Sequence, residues 1–401
     1  MGRISLAVMF LVWASVCPSK GVMAEIIYSA AGFNPCAVGI LPTGEPLVSD
    51  QSSMYKFSLS TGGVWTKTTI ATLKNSKNFV CGQILVDKSS NVFASFTIGG
   101  GSGGVLKLSP PTSGSTWLQS VIWSMTSADG YTPNAGMVLD TKGNIFGTTY
   151  GDTGISTSMG QMFKLSPPAS GKTAWKKSTA WQFPVGSGSV ITQSGPTMFN
   201  GKFYIANARG ESGSGSGSVI EATPPVSATG IWGISTIYSF VGGSAGGTPV
   251  SIVGTKFGLA GGFGGICDTN CGGIYLLSPP TSVGAAWGES ILAGPNGDPG
   301  PGGSIISDRK GDIFGSRGYW CGSGFGSGCG AVIELVAPTA AKPLWQNRQV
   351  SDFGHSGEPS VFAADASGNL FGVLNGGNTQ AGCLSANCGA VFLLSGVGYV
   401  P

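Results

Sequence analysis

Apolar and polar positions alternate along this chain in short runs, and nowhere does a stretch of ten residues carry a helical period. One phrase makes the pattern plain. Val105-Leu106-Lys107-Leu108-Ser109-Pro110-Pro111 returns as Met162-Phe163-Lys164-Leu165-Ser166-Pro167-Pro168, and again at 219–225, 274–280 and 332–338. A second phrase precedes it, fullest as Val138-Leu139-Asp140-Thr141-Lys142-Gly143-Asn144-Ile145-Phe146-Gly147, and recurs at 86–93, 306–315 and 364–372. Degenerate copies run at 40–48, 198–204 and 252–258, so the phrase occurs seven times. Six tryptophans, Trp65, Trp117, Trp175, Trp232, Trp287 and Trp345, keep time with it at intervals of 52, 58, 57, 55 and 58 residues.

Each unit supplies four short strands, a to d, separated by turn residues. In the unit near residue 134, a is 135–139, b is 144–150, c is 161–165 and d is 175–183. The Asp-x-x-Gly-Asn segment suits a tight a–b hairpin, because Asp bonds amides ahead of it and Gly accepts positive φ. Four strands repeated seven times are the sequence form of an all-β, seven-bladed β-propeller with antiparallel blades. The seventh unit stops at Leu394-Ser395 with strand d missing. Its substitute stands at the start: Ile26-Ile27-Tyr28-Ser29 resembles the strand d at Thr236-Ile237-Tyr238-Ser239, so the N-terminal strand is expected to close the ring.

Residues 143–151, 163–168 and the Tyr-Ser-Phe at 238–240 resemble the GloVer tandem repeat of secreted bacterial "choice-of-anchor" proteins. The resemblance covers essentially the whole chain after its first segment. It implies an exported, propeller-like bacterial protein.

Composition sharpens the picture. Of 401 residues 69 are glycine, and only 10% are charged against roughly 25% in an ordinary soluble domain. At 41% apolar and a net charge of +3, the chain falls outside the disordered class. Residues 1–24 read as a signal peptide, with Arg3, an apolar run over 4–16 and a small-residue cleavage site at Val22-Met23-Ala24. The run is shorter than the ~20 residues of a spanning helix. Cys17 lacks the leucine of a lipoprotein site. Removing 24 of 401 residues leaves 377, about 54 per repeat. Loss of Arg3 and Lys20 leaves 19 basic against 18 acidic groups, which gives nucleic acid or an anionic membrane no basic surface. The expectation is a secreted protein, taken as a monomer, with no span after cleavage.

Eight cysteines remain, an even number that reads as disulfides in an oxidising compartment. Cys271, Cys329 and Cys388 stand at one blade position, each with a cysteine shortly before it, so Cys267–Cys271, Cys321–Cys329 and Cys383–Cys388 are the expected local pairs. Cys36 and Cys81 then pair with each other. Both open strand a of adjacent blades.

Patterns that suggest chemistry dissolve on inspection. G-x-S-x-G at 100–104 and 242–246 and G-x-G-x-x-G at 99–104 have no following helix to build an elbow or hold a phosphate. One histidine and locally paired cysteines do not make a zinc site, and no cofactor is called for. Asp87, Asp140, Asp308 and Asp365 recur at one blade position, which assigns them to hairpins. Function should therefore lie where the repeat breaks, on the b–c and d–a connections that share one face. Candidate ligand residues there are Tyr150, Asp152, Arg209, Glu211, Arg317, Tyr319, Trp320, Phe325, His355 and Glu358, with Asp129, Tyr131, Asn296 and Asp298 beside them. Trp320 stands outside the repeated phrase. Aromatic planes with scattered amides and carboxylates suit an extracellular glycan or protein ligand. The alternative is a propeller hydrolase or lyase, whose two carboxylates would come from Asp129, Glu211, Asp298 and Glu358.

Overall fold

The computed structural model of the protein describes residues 22–401 apart from 75–76, 100–101, 134–135, 151–159, 184–194, 209–215, 228–229, 243–246, 264–271, 283, 295–303, 321–327, 355–356 and 378–387. Side chains at 31, 318–320, 328–329, 358, 375–377 and 388 are likewise outside the description.

Seven antiparallel sheets are arranged as a seven-bladed β-propeller. In blade 3 strands a to d are Val138–Leu139, Ile145–Thr148, Gln161–Ser166 and Lys176–Gln182, close to the bounds that alternation sets. Blade 1 runs Ala37–Ile40, Pro46–Ser49, Ser53–Leu59 and Trp65–Thr72. Blade 2 divides its innermost position between Lys77–Phe79 and Leu85–Val86. Between them Gly82–Gln83 pairs in parallel with strand a of blade 1. That pairing brings Cys36 and Cys81 together as a disulfide, with Cα atoms 4.8 Å apart. Of the other expected pairs, Cys267, Cys271, Cys321 and Cys383 lie outside the described residues, and Cys329 and Cys388 are placed by main chain alone.

Seven buried apolar clusters hold the ring, one at each interface between neighbouring blades. The periodic tryptophans serve these interfaces. Each comes just before the residue of strand d that pairs with the Ser, Thr or Val in fifth place of the repeated phrase, and reaches back to the blade before it. Trp175 meets Phe93 of blade 2 edge-on at 5.7 Å, Trp232 meets Phe146 of blade 3 at 6.0 Å, and Trp65 meets Phe371 of blade 7 at 6.2 Å. A large ring buried there supplies much of the interface area.

The repeated aspartates are hairpin residues. Asp140 Oδ1 accepts the amides of Lys142 and Asn144, and its Oδ2 accepts the Asn144 side-chain amide. Asp87 and Asp365 repeat the arrangement with Asn91 and Asn369.

Closure uses both ends of the described chain. Met23–Ala31 is strand d of blade 7 and pairs with Cys388–Ser395. The strand reaches two residues further toward the N-terminus than 26–30 and Glu25 require, because Met23 and Ala24 pair with Ser395 and Leu394. Val22 precedes them, 6% exposed, in the cluster between blades 6 and 7. From Ser395 the chain crosses back to blade 6, where Val400 N–H donates to Asp308 Oδ2 and its carbonyl accepts from Arg309 N.

Candidate functional site

Chain direction fixes two faces. The a–b hairpins and c–d turns open on one, the b–c and d–a connections on the other. Strands b and c are not equally long. Strand b of blade 6, Ile313–Trp320, has eight residues, and that of blade 3 has four. At roughly 3.3 Å per residue strand b of blade 6 runs about 13 Å longer than that of blade 3, toward the b–c face. This corrects the loop assignment of Arg317, Tyr319 and Trp320: they lie in strand b, opposite Ala331, Cys329 and Gly328. Alternating residues facing glycine-rich partners let the ladder continue where a loop was expected. Glu358 likewise opens strand a of blade 7 and pairs with Asn375. Asp152, Arg209, Glu211, Phe325, His355, Asn296 and Asp298 lie outside the described residues.

Tyr150 is half-buried, and burial pushes its phenol above the usual range. Main-chain bonds dock it to the d–a connection: Tyr131 N–H donates to its carbonyl, and its own N–H donates to Thr132 O. Gly130 makes that approach feasible, since its φ is +104° and a Cβ there would lie 2.5 Å from the Tyr150 carbonyl oxygen. Tyr131 is exposed beside it.

Asp129, a candidate acid in the sequence, is a framework residue. It is 5% exposed. Thr126 donates to Oδ2 through both its amide and its hydroxyl, while the Gln161 side-chain amide and the Lys177 ammonium donate to Oδ1. Burial alone would raise the pKa, but these donors, Lys177 foremost, hold it down at about 2. A carboxylate so engaged is neither a proton donor nor free to meet a ligand.

The same holds across the framework. Among the described residues thirteen of the 18 acids occur, and all thirteen bond to a neighbour: turn amides, a lysine or arginine, a tyrosine or tryptophan, or in Asp312 the amide of Ala337. The pKa of Glu289 is raised by burial, and its Oε2 accepts a hydrogen bond from Tyr238 Oη at 2.6 Å. The remaining five carboxylates are Asp152, Glu211, Asp268, Asp298 and Glu358. By strand order every one falls in a b–c or d–a connection or at its edge. Asp268 escaped the sequence reading; its signal is its position in the blade 5 b–c connection beside Cys267. Among the described residues no three His, Cys, Asp or Glu side chains gather as a metal site, and no helix is long and apolar enough to cross a membrane.

No protein-family model matches the chain, and no curated protein sequence does. Solved structures do resemble it. Virginiamycin B lyase from Staphylococcus aureus is 11% identical with a TM-score of 0.53, over 93% of this chain and 99% of that one. A catalytically inactive histidine variant of the same lyase, with quinupristin, gives 0.54 at 11% identity, over 93% and 98%. A gluconolactonase from Xanthomonas campestris gives 0.43 at 11% identity, over 96% and 93%. At these identities what the chain shares with them is the propeller fold.

Proposed function

We propose that this is an exported propeller of the GloVer type whose b–c/d–a face binds a polar polymer, a glycan or a peptide, outside the cell. One observation carries the reading: the acids among the described residues serve the framework, and by strand order Asp152, Glu211, Asp268, Asp298 and Glu358 all fall in or at the edge of the connections of one face. Acids placed where the repeat breaks are not accounted for by the repeated fold, and connections on one face of a rigid scaffold are where binding residues concentrate. The lengthened blade 6 hairpin, which carries Arg317, Tyr319 and Trp320, adds cationic and aromatic character there. The Cys36–Cys81 disulfide supports an oxidising destination.

A second reading, that the face also acts on what it binds, is favoured over a passive scaffold. The sole histidine, His355, falls by sequence order in a d–a connection, so that candidates for general acid and base are assigned to one face. Two of the resembling structures, with TM-scores of 0.53 and 0.54, are of a lyase. Paired carboxylates roughly 5–10 Å apart would mark a glycosidase. A glycan-array and peptide-array screen of the exported protein, followed by incubation of each hit and product analysis, tests both: binding without turnover leaves the first reading, and no hit on either array removes both.

A further inference from the structure

The face opposite the carboxylates carries a groove of about 990 Å³ between blades 2 and 3. Its floor and walls come from the a–b hairpins at Asp87 and Asp140, strand d of blade 2, and the c–d turn that leads into Trp175. Lys107 opens into it from strand c of blade 2.

Lys107 is the third residue of the repeated phrase, and strand register lets its counterparts be compared. In blade 1 Lys56 pairs with Glu45 at 2.9 Å. In blade 3 Lys164 lies 5.7 Å from the Phe146 ring centroid. In blade 4 Glu221 takes Lys202 at 2.7 Å, and in blade 6 Glu334 takes Arg348. Blades 5 and 7 have leucine there, Leu276 and Leu393. Each charged counterpart is thus matched within the framework. The ammonium of Lys107 alone has no hydrogen bond, ion pair or ring contact among the described residues.

The groove's own acids, Asp87 and Asp140, make no ion pair with Lys107, because their oxygens are turned to their hairpins. Both oxygens of Asp87 and of Asp140 accept from their own hairpins. Lys88 adds a second cation at the rim. Trp175 is half-buried, one edge against Phe93 and the rest lining the groove, and Ser109, Ser120 and Thr173 supply hydroxyls. An indole plane, hydroxyl donors and one unmatched ammonium fit a pyranose that carries a carboxylate: the ring stacks on the indole and the carboxylate takes Lys107.

We propose that this groove is a second ligand site, independent of the b–c/d–a face, and that it takes a uronate-type acidic saccharide. Trp175 also holds blades 2 and 3 together, so the test leaves it in place. Titration calorimetry at low salt would use tri-galacturonate and, as its neutral counterpart, maltotriose. Lys107→Gln removes the charge and keeps the length; Ser120→Trp fills the groove and keeps the charge; Lys202→Gln removes an equivalent lysine on blade 4. The expected result is tri-galacturonate binding that weakens at least tenfold in Lys107→Gln and in Ser120→Trp, holds in Lys202→Gln, and exceeds maltotriose binding. Absence of tri-galacturonate binding, equal binding of maltotriose, or indifference to either groove variant would overturn the proposal. An equal loss in Lys202→Gln would do so too, because net charge would then explain it. Matching melting temperatures confirm that each variant is folded.

Discussion

The ring of Tyr399 lies 5.5 Å from that of Phe314. Phe314 is the blade 6 counterpart of Phe93, Phe146 and Phe371, which receive tryptophans from the following blade. Blade 7 has no such tryptophan. The residue that precedes its Met23–Ser395 pair is Val22, buried in the same cluster as Phe314. One indole is therefore replaced by two smaller groups, Val22 from one end of the described chain and Tyr399 from the other. The Tyr399 hydroxyl, bonded to Ser307 O, fixes its half.

That substitution bears on export. A protein beginning at Val22 keeps the buried valine and the Met23 and Ala24 pairings, and one beginning at Glu25 loses them. Burying one valine contributes about 2 kcal/mol, so the shorter protein should melt several degrees lower. Deleting 25–32 should cost far more, because it bares the edge of Cys388–Ser395 and promotes aggregation. Thermal melts of the three forms check both; identical melts would make the segment a mere linker.

Trp232 touches Phe146 across the interface and Phe203 within its own blade. Trp232→Ala should destabilise by about 3–5 kcal/mol, read by urea denaturation, without altering ligand affinity in the surviving folded fraction.

Cys36 and Cys81 enclose a loop with a sequence separation of 45. Loop-closure entropy puts their bond at about 4 kcal/mol. Peptide mapping without reduction should recover the Cys36–Cys81 link, and the Cys36→Ser, Cys81→Ser double variant should lose stability of that order. A link from Cys36 to any other cysteine would contradict the arrangement of the inner strands.

Asp129 sets an acid limit. Its folded pKa, about 2, lies below the unfolded carboxylate value. The stability it contributes is thus complete above pH ~4 and is lost as pH falls toward 2. Asp129→Asn should flatten that part of the stability profile, lower stability at pH 7 and leave ligand binding in place. An unchanged profile between pH 4 and 2 would show that the Lys177 pairing carries nothing.

Much of this was legible in the sequence because it repeats. Blade number, the closing strand, the hairpin role of Asp140 and its relatives, the Cys36–Cys81 pair and the interface tryptophans all follow from comparing one unit with the next. What breaks the repeat by long-range contact was not. Val22 and Tyr399 share no periodic signal, since each is half of an absent tryptophan. Asp129 looked like a free acid because Lys177, its partner, is 48 residues away. The height of the blade 6 hairpin was hidden by a glycine-rich partner strand, whose residues read as loop until paired with 313–320.

Trp320 is the residue on which to test the proposed recognition of a ligand by the b–c/d–a face. Affinity of the protein for its strongest array ligand should be measured before and after Trp320→Ala, with a melting curve for each. The account predicts loss of most of the affinity with the melting temperature almost unchanged. Unaltered affinity, or unfolding of Trp320→Ala, would place Trp320 in the framework and contradict the assignment of function to that face.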